Sequence, residues 1–442
     1  MRRRVLLATL VLLVPFTANA DTGRLSLKEA VTLALRNDHA LKAAGHEKTA
    51  TTAAVAVSRS RYFPRLSLEE AAGATNSPTR VFMMKLDEGR FAFGGDLNHP
   101  KTAGDFRTSL TLEQPLLDLS VGRGVAMARA DESARGFALE RQREEVAFRV
   151  YTNYLEVQRA KSNLGAVEQA VTDAREHGRL AAVRSDTGVG LKSDELRTRT
   201  FLSERELDRI RAENALRLAQ LRLARAVGGG AGSTVDILEE LQPTPVTLGN
   251  EDLIRLALGN RKELQEGGAF IDRAESGIKL ARSAFLPTIY GTAMYQMNDR
   301  DVPFGRDNDA WAVGATLRWE LFDGLRRRHL EEKARAEKGV AVEYLEKGRE
   351  EIALEVEECY LNRTEAGKRL EVVRHALLDA EEVVRLVKQR YENSLATMVD
   401  LLDAQTALDR SRAALFDAES AAALATARLY HGAGIFLQEV MK

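Results

Sequence analysis

The chain has 442 residues, a formal net charge of −1 and 29% charged residues. This near-neutral charge gives no reason to expect nucleic-acid binding. A single cysteine, Cys359, excludes an intrachain disulfide and any site that needs several cysteine ligands. Aromatic residues make up only 6% of the chain, a composition that favours long helices over a loop-rich all-β protein.

The N-terminal segment has the pattern of a secretory signal. Three arginines, Arg2 to Arg4, precede a short apolar run and Ala18-Asn19-Ala20, an A-x-A cleavage motif. We therefore expect a signal peptide over residues 1–20 and a mature chain that begins at Asp21. The apolar run is far short of the ~20 residues of a spanning helix, so an N-terminal anchor is the weaker alternative. No later apolar run reaches that length, so any membrane span must be a β-barrel.

An internal repeat organises the mature chain. At one constant offset, residues 31–37 align with 254–260, and residues 58–64 align with 281–287. The alternative is a chance similarity between two alanine-rich helical stretches. The predicted parts are a first repeat over 21–228, a Gly- and Pro-containing linker over 229–246, and a second repeat over 247–442.

Each repeat opens with a helical pattern that ends at a proline, over residues 27–63 before Pro64 and over 250–286 before Pro287. After each proline the hydrophobic period changes to that of a strand. Two strands are expected in each repeat, joined by a loop rich in Gly, Pro, Asn and Asp. The loops are predicted over about 76–105 and 298–309.

Residues 310–321 carry the clearest strand pattern, with apolar side chains alternating with small or charged ones. Trp311 and Trp319 stand toward the two ends of the apolar face, as in the interfacial girdle of membrane strands. Weaker alternation marks strands over 106–114 and 289–297, and the strand after the first proline is the least regular. Four strands cannot close a barrel, since the smallest use about eight, so several chains must share one. A small soluble sheet packed on a core is the alternative.

A very long helical pattern without internal proline follows each strand pair, over residues 120–186 and 325–392. At 1.5 Å per residue each helix is expected to be roughly 100 Å long. Shorter returning helices are predicted over 191–227 and 397–431. Two coiled-coil stripes support these helices: Leu370, Val373, Leu377, Ala380, Val384, Val387 and Tyr391 in the second long helix, and Leu401, Leu408, Leu415, Ala422 and Leu429 in the last.

This order of elements, present twice after a signal peptide, resembles the TolC family of outer-membrane efflux proteins. The most specific marks are the two Pro-terminated openings, the strand ends Gln114–Asp118 and Trp319–Gly324, and the helix turns near residues 188 and 394. The resemblance covers nearly all of the mature chain. It implies a mainly α-helical protein with a small membrane β part, in which a homotrimer shares a twelve-stranded β-barrel continued by a long α-helical coiled-coil barrel.

The resemblance also implies a function. The chain is expected to be a passive exit duct in the outer membrane of a bacterial cell, with its helical tunnel in the periplasm and no cofactor. Its expected partners are outer-membrane lipid, a periplasmic adaptor and an inner-membrane transporter. The alternative is a soluble periplasmic coiled-coil scaffold or pump adaptor, although the tryptophan-flanked strand would then expose its apolar face to water.

The same resemblance assigns roles to residues at the two helix turns. Asp400 and Asp403 occupy acidic positions that ring the pore constriction, where three copies would favour cations. The ordinary alternative is that the helix dipole favours acids in the first turn. Two departures from the family, Ala396 for an arginine and Ser394 for a glycine, predict a different closing contact. The gate-closing residues are predicted to be Tyr391, Ser193 and Asp194, and the adaptor-contact turn is predicted to be Gly188, Val189, Gly190 and Leu191.

No arrangement in the sequence indicates an enzyme or a metal site. The seven histidines are scattered over different elements, and only His39 and His46 share a helix face. They lie two turns apart with no further ligand nearby in the sequence. Arg326 to Arg328, just after a strand, fit an interfacial anchor better than a nucleic-acid patch.

Overall fold

The computed structural model describes residues 23–230, 232–242, 246 and 248–440. The predicted signal peptide and part of the predicted linker lie outside the described residues. The chain divides into two compact units, and each unit takes segments from both halves of the sequence. The first unit is formed within residues 1–38, 144–250 and 357–442, and the second within 39–143 and 251–356.

Helices dominate the chain, and the two longest agree with the predicted long helices to within one residue at each end. The elements in chain order are β1 (Arg24–Leu25), α1 (Leu27–Asn37), α2 (His39–Ser60), β2 (Arg65–Thr75), α3 (Pro78–Asp87), β3 (Ala103–Leu117), α4 (Leu119–Asp186), α5 (Lys192–Ala226), β4 (Asp236–Ile237), α6 (Asn250–Asn260), α7 (Lys262–Ser283), β5 (Thr288–Asp299), β6 (Asn308–Arg318), α8 (Arg326–Glu392), α9 (Met398–Gly432) and α10 (Phe436–Val440). Among the described helices, none is long and apolar enough to cross a bilayer.

Each predicted opening helix is divided into two, so its predicted continuity was wrong. Asp38 (φ −58°, ψ 127°) separates α1 from α2, and Arg261 (φ −59°, ψ 124°) separates α6 from α7. Such ψ angles lie outside the helical region and interrupt the hydrogen-bond ladder. The two residues occupy equivalent positions in the repeat, although one is acidic and the other basic.

Four strands form one antiparallel sheet in the order β2-β3-β5-β6. Its register places Leu68, Leu110, Tyr295 and Trp311 in one row across the four strands. Successive residues of a strand point to opposite faces, so this row and the next row toward the helices, Leu66, Leu112, Ala293 and Val313, define one apolar face. The row on the other side, Glu70, Thr108, Met297 and Asp309, is mostly polar. The face is open to solvent in the single chain, and Trp311 is 75% exposed.

Two sequence predictions in this region need correction. The strand predicted over 310–321 begins two residues earlier and ends at Arg318. Trp319 therefore lies past the strand, where its indole Nε1 donates to the carbonyl of Phe285 at 3.1 Å. The loop predicted over 76–105 contains a helix, α3, which begins with Pro78 in its first turn.

In the first unit, α4 and α9 bury apolar side chains, and those of α9 belong to its predicted stripe. Val150 and Val157 of α4 and Leu401 and Leu429 of α9 are completely buried. Tyr154 of α4 is also buried, and its hydroxyl lies 3.2 Å from the carbonyl oxygen of Leu25 and 3.1 Å from that of Glu239. These contacts fasten α4 to the short parallel pair of β1 and β4, which sequence periodicity did not reveal.

Candidate functional site

The first helix turn joins α4 to α5 and is held by its own backbone. The amides of Val189 and Gly190 both donate to the carbonyl of Arg184, at 3.0 and 2.7 Å. Gly188 has a φ of +75°, a conformation that glycine adopts without steric cost. A Cβ on Gly190 would lie only 2.9 Å from the Cβ of Arg184. The glycines are therefore required for the turn to close so tightly.

The second turn joins α8 to α9 without a glycine. Ser394 takes the left-handed conformation, with a φ of +61°. Its amide donates to the carbonyl of Tyr391 at 3.0 Å, and the amide of Leu395 donates to that of Arg390 at 2.8 Å. A serine in this region is less favourable than a glycine, so contacts from outside the turn must hold it.

Arg184 supplies such contacts by linking the two turns. Its Nη1 donates to the carbonyl of Tyr391 at 2.8 Å, and its Nη2 donates to the hydroxyl of Ser394 at 2.8 Å. The guanidinium carbon also lies 4.7 Å from the centre of the Tyr391 ring, a cation–π distance. Sequence periodicity does not single out Arg184, because nothing in the local pattern shows which carbonyl its side chain will reach.

Tyr391 packs beneath this link. Its ring is buried in a cluster with Ala181, Met398 and Leu401. Burial raises the pKa of Tyr391, and the carboxylate of Asp194 acts in the same direction, while the Arg184 charge opposes both. The structure thus brings Asp194 within electrostatic range of the ring. The gate-closing role of Tyr391, Ser193 and Asp194 stays a prediction.

Asp400 and Asp403 lie in the first turns of α9, and both are exposed. Asp400 caps the helix, because its Oδ2 accepts from the amide of Thr397 at 2.8 Å and from the Thr397 hydroxyl at 2.7 Å. In return, the amide of Asp400 donates to that hydroxyl, which completes a capping box. These bonds lower the pKa of Asp400, so its carboxylate carries a charge near neutral pH.

Apolar side chains project from both turns. Val189, Leu191 and Leu395 are each about two-thirds exposed. Such side chains normally pack away from water, so both turns leave apolar surface open in the single chain. The adaptor-contact role of Gly188, Val189, Gly190 and Leu191 stays a prediction.

Solved membrane-protein structures share this fold. The outer membrane protein VceC from Vibrio cholerae superposes with a TM-score of 0.75 at 19% identity, over 92% of this chain and 96% of that chain. The predicted fold class is confirmed. The fold is thus that of an outer-membrane channel subunit.

The chain belongs to the outer membrane efflux protein family, whose model matches residues 30–229 and 253–434. Members of this family are transport ducts and not enzymes, and they work with inner-membrane pumps and adaptors in tripartite systems. The predicted function as an outer-membrane channel subunit is therefore confirmed, and the scaffold alternative is set aside.

Two relatives are secretion proteins. The alkaline protease secretion protein AprF of Pseudomonas aeruginosa is 23% identical over 425 residues, which cover 94% of this chain and 85% of that protein. The proteases secretion protein PrtF of Dickeya chrysanthemi is 25% identical over 342 residues, which cover 73% of this chain and 69% of that protein. This chain is thus similar to proteins of secretion systems over most of its length.

Proposed function

We propose that three copies of this chain form a passive exit duct, and that the turns at the ends of its long helices form the gate. The sheet carries the first part of the proposal. Strands β2 and β6 are the two edge strands of the sheet, and the apolar face of the sheet is exposed in the single chain. Three sheets joined edge to edge make a twelve-stranded barrel, which satisfies the edges and turns the apolar face toward lipid.

A groove between α7 and α8 supports the shared assembly. Phe270, Val340 and Tyr344 line it and remain substantially exposed in the single chain. Burying such side chains contributes about 25 cal/mol for each Å² removed from water. We infer that a neighbouring copy covers this groove in the trimer.

Arg184 is the proposed latch of the closed gate. It joins the end of α4 to the end of α8 within one copy, and it also stabilises the left-handed Ser394. The family arginine that is absent at Ala396 is thereby replaced by an arginine on the other helix. Separating the two turns breaks both hydrogen bonds and the cation–π contact, so opening carries a free-energy cost.

Asp403 and Asp400 are proposed to line the constriction. Three copies contribute six carboxylates, and the field of such a ring attracts cations and repels anions. Asp400 also caps α9, so its two roles need separate tests. Asp403 provides the cleaner test, because it lies one turn beyond the capping box.

The proposed adaptor contact is the surface formed by Val189, Leu191 and Leu395. An adaptor that binds the turns removes these apolar side chains from water, and this burial favours the complex. Docking there also acts next to Arg184, whose carbonyl accepts the amides of the first turn. Adaptor binding can therefore open the latch without a separate energy source in this chain.

Polypeptides are the proposed cargo. The two secretion relatives match over most of this chain, whereas the family as a whole is named for efflux. The test replaces AprF with this chain in Pseudomonas aeruginosa and measures alkaline protease in the medium. Restored secretion supports polypeptide cargo. If this chain raises drug resistance and does not restore secretion, small-molecule efflux, the second candidate, is favoured.

The assembly is tested by disulfide trapping between copies. In a Cys359→Ala background, Leu68→Cys on β2 is combined in turn with Ala310→Cys through Ala315→Cys on β6. The proposed barrel predicts a covalent trimer in detergent for a few alternating positions, because one register brings one set of side chains together. Equal trapping at all positions, or a monomeric mass by light scattering, contradicts the shared barrel.

A further inference from the structure

The segment between β2 and β3 is fastened to one end of the sheet. Val81 of α3 is buried, and so is Glu88, which pairs with Arg90. Asn308 at the start of β6 donates from Nδ2 to the carbonyl of Asp87 at 2.9 Å. One side of α3 therefore packs on the protein, and the direction of its other side is fixed.

The outer side of this segment carries an apolar surface, which we name the loop patch and define as Met83, Leu86, Phe93 and Leu97. All four side chains are exposed, and Phe93 is 96% exposed. The rings of Phe82, Phe91 and Phe93 stack edge to face, with centroids 4.8 and 5.2 Å apart. This chain of rings gives Phe93 a defined position, although water surrounds it in the single chain.

The charges near the loop patch favour one partner. On α3 the exposed charged residues are Arg80 and Lys85, whereas Asp87 is half-buried. Beyond α3, the buried Glu88 pairs with Arg90 and the exposed Asp96 pairs with His99. An apolar surface with a basic rim is the pattern of a helix that lies in the headgroup region of a membrane. Lys and Arg attract the phosphates there, and the apolar side chains enter the acyl boundary.

The position of the loop patch agrees with this partner. Helix α2 leads into the start of β2, and the end of β3 leads into α4, so the helices join these strands at one end. The loop patch follows the end of β2 and precedes β3, at the opposite end. In the proposed barrel, which this inference presupposes, that end meets the outer leaflet, and the exposed apolar face of the sheet lies nearby.

We propose that the loop patch inserts into the headgroup region of the outer leaflet and that Arg80 and Lys85 bind lipid phosphates. The segment then anchors the channel mouth in addition to the barrel. A second copy is the competing occupant, because three loop patches that met on the axis would close the mouth. Lipid would place Phe93 among acyl chains, whereas a second copy would bury it against protein.

The test uses single-cysteine variants of the full chain in the Cys359→Ala background, labelled with an environment-sensitive fluorophore. Phe93→Cys and Met83→Cys report on the loop patch. Asp301→Cys, on the exposed loop between β5 and β6, is the aqueous control, and Val313→Cys on the apolar sheet face reports on the barrel itself. Each protein is placed in vesicles of phosphatidylcholine and phosphatidylglycerol, with nitroxide lipid or aqueous iodide as quencher.

The inference predicts quenching of the Phe93 and Met83 labels by nitroxide lipid, at least twofold stronger than at Asp301. Adding Arg80→Gln and Lys85→Gln should reduce this quenching in anionic vesicles. If iodide quenches Phe93 while lipid quenches Val313, the loop patch is in water, and only this inference fails. If Phe93 escapes both quenchers and Phe93→Cys forms disulfides between copies, a second copy covers it, and the inference is again wrong. If lipid fails to quench Val313, the proposed barrel itself is contradicted.

Discussion

Arg149 of α4 donates a hydrogen bond from Nη2 to Oδ2 of Asp38 at 2.5 Å, and so holds the residue that separates α1 from α2. The second half has the same relationship with the charges reversed. Arg261 separates α6 from α7, and its Nη2 lies 3.1 Å from Oε2 of Glu355 on α8. Arg149 and Glu355 occupy equivalent positions in the repeat. The ion pair at the helix break is thus retained while the two residue types exchange places.

This relationship predicts that the first pair tolerates reversal. Arg149→Glu places two carboxylates side by side, and we expect it to destabilise the fold by about 1 to 2 kcal/mol, since Arg149 is partly exposed and water screens the charge. The double variant Asp38→Arg plus Arg149→Glu should recover at least half of that loss. Thermal unfolding in detergent, followed by circular dichroism, measures both.

The matched comparison is Asp38→Arg alone, which brings two cations together and should also destabilise. Coupling between the two sites is the quantity that decides the prediction. Purely additive losses would show that the pair does not hold the helix break.

Arg184→Ala should weaken the closed gate. The variant loses two hydrogen bonds and the contact with the Tyr391 ring, and we expect about 1 kcal/mol less stabilisation of the closed state at this half-buried position. Such a change corresponds to a roughly fivefold rise in the ratio of open to closed channels. Single-channel recording in planar bilayers measures this ratio.

Arg179→Ala is the matched control, because Arg179 is exposed on the same helix and pairs with Glu176 of that helix. It should leave gating unchanged. The ratio of open to closed channels in Arg184→Lys should fall between those of Arg184→Ala and the parent, since an ammonium group cannot reproduce the forked contact. Equal gating in the Arg184 and Arg179 alanine variants would remove Arg184 from the latch.

Asp403→Asn should reduce the cation preference of the channel at unchanged stability. Asp403 contributes charge without a place in the capping box, so its substitution removes three of the six proposed carboxylates. The reversal potential in a salt gradient measures the preference. An unchanged reversal potential would show that Asp403 does not face the constriction.

Asp400 allows capping to be separated from charge. Asp400→Asn keeps a side-chain acceptor for the cap, whereas Asp400→Ala removes it, so only alanine should lower the unfolding temperature appreciably. The pKa of Asp400 is lowered below 3.8 by its bonds to Thr397. A carboxyl whose pKa falls on folding stabilises above its unfolded pKa and loses that contribution as pH falls through the folded value.

The stability difference between parent and Asp400→Ala should therefore stay constant from pH 8 to about 5 and shrink only below about pH 4. Unfolding temperatures across this range measure it. A difference that disappears near pH 6 would assign it to another titrating group.

His177 predicts a second pH dependence, at milder acidity. It is buried on α4, and burial lowers its pKa below 6.5, an effect that Asp173, Glu176 and Gln405 oppose and that Lys388 assists. A histidine kept neutral by folding contributes stability that is present above pH 6.5 and is lost as pH falls toward the folded pKa. The unfolding temperature of the parent should thus decrease from pH 7 to 5.

His177→Met should flatten this slope, because methionine fills a similar volume and does not titrate. At pH 8 the imidazole is neutral in the folded and in the unfolded state. The difference in unfolding temperature between parent and His177→Met at that pH therefore reports packing alone. An equal slope in parent and variant between pH 7 and 5 would contradict the assignment to His177.

The sequence by itself determined the elements whose signal is local and periodic. Repeating apolar spacings gave α4 and α8 almost to the residue, and the two prolines marked the change from helix to strand. These signals suffice because a helix or strand is stabilised along its whole length by one apolar face. The repeat and the family-like turns also led to the class of protein.

Tertiary structure alone decided the details that depend on residues distant in the chain. Neither helix break, at Asp38 or at Arg261, is formed by a proline or a glycine. The residues that pair with them, Arg149 and Glu355, lie on other helices. The link from Arg184 to Tyr391 and Ser394 joins residues about 200 positions apart in the sequence. The direction of a long side chain is set by the packing around it, so no local pattern encodes such a contact.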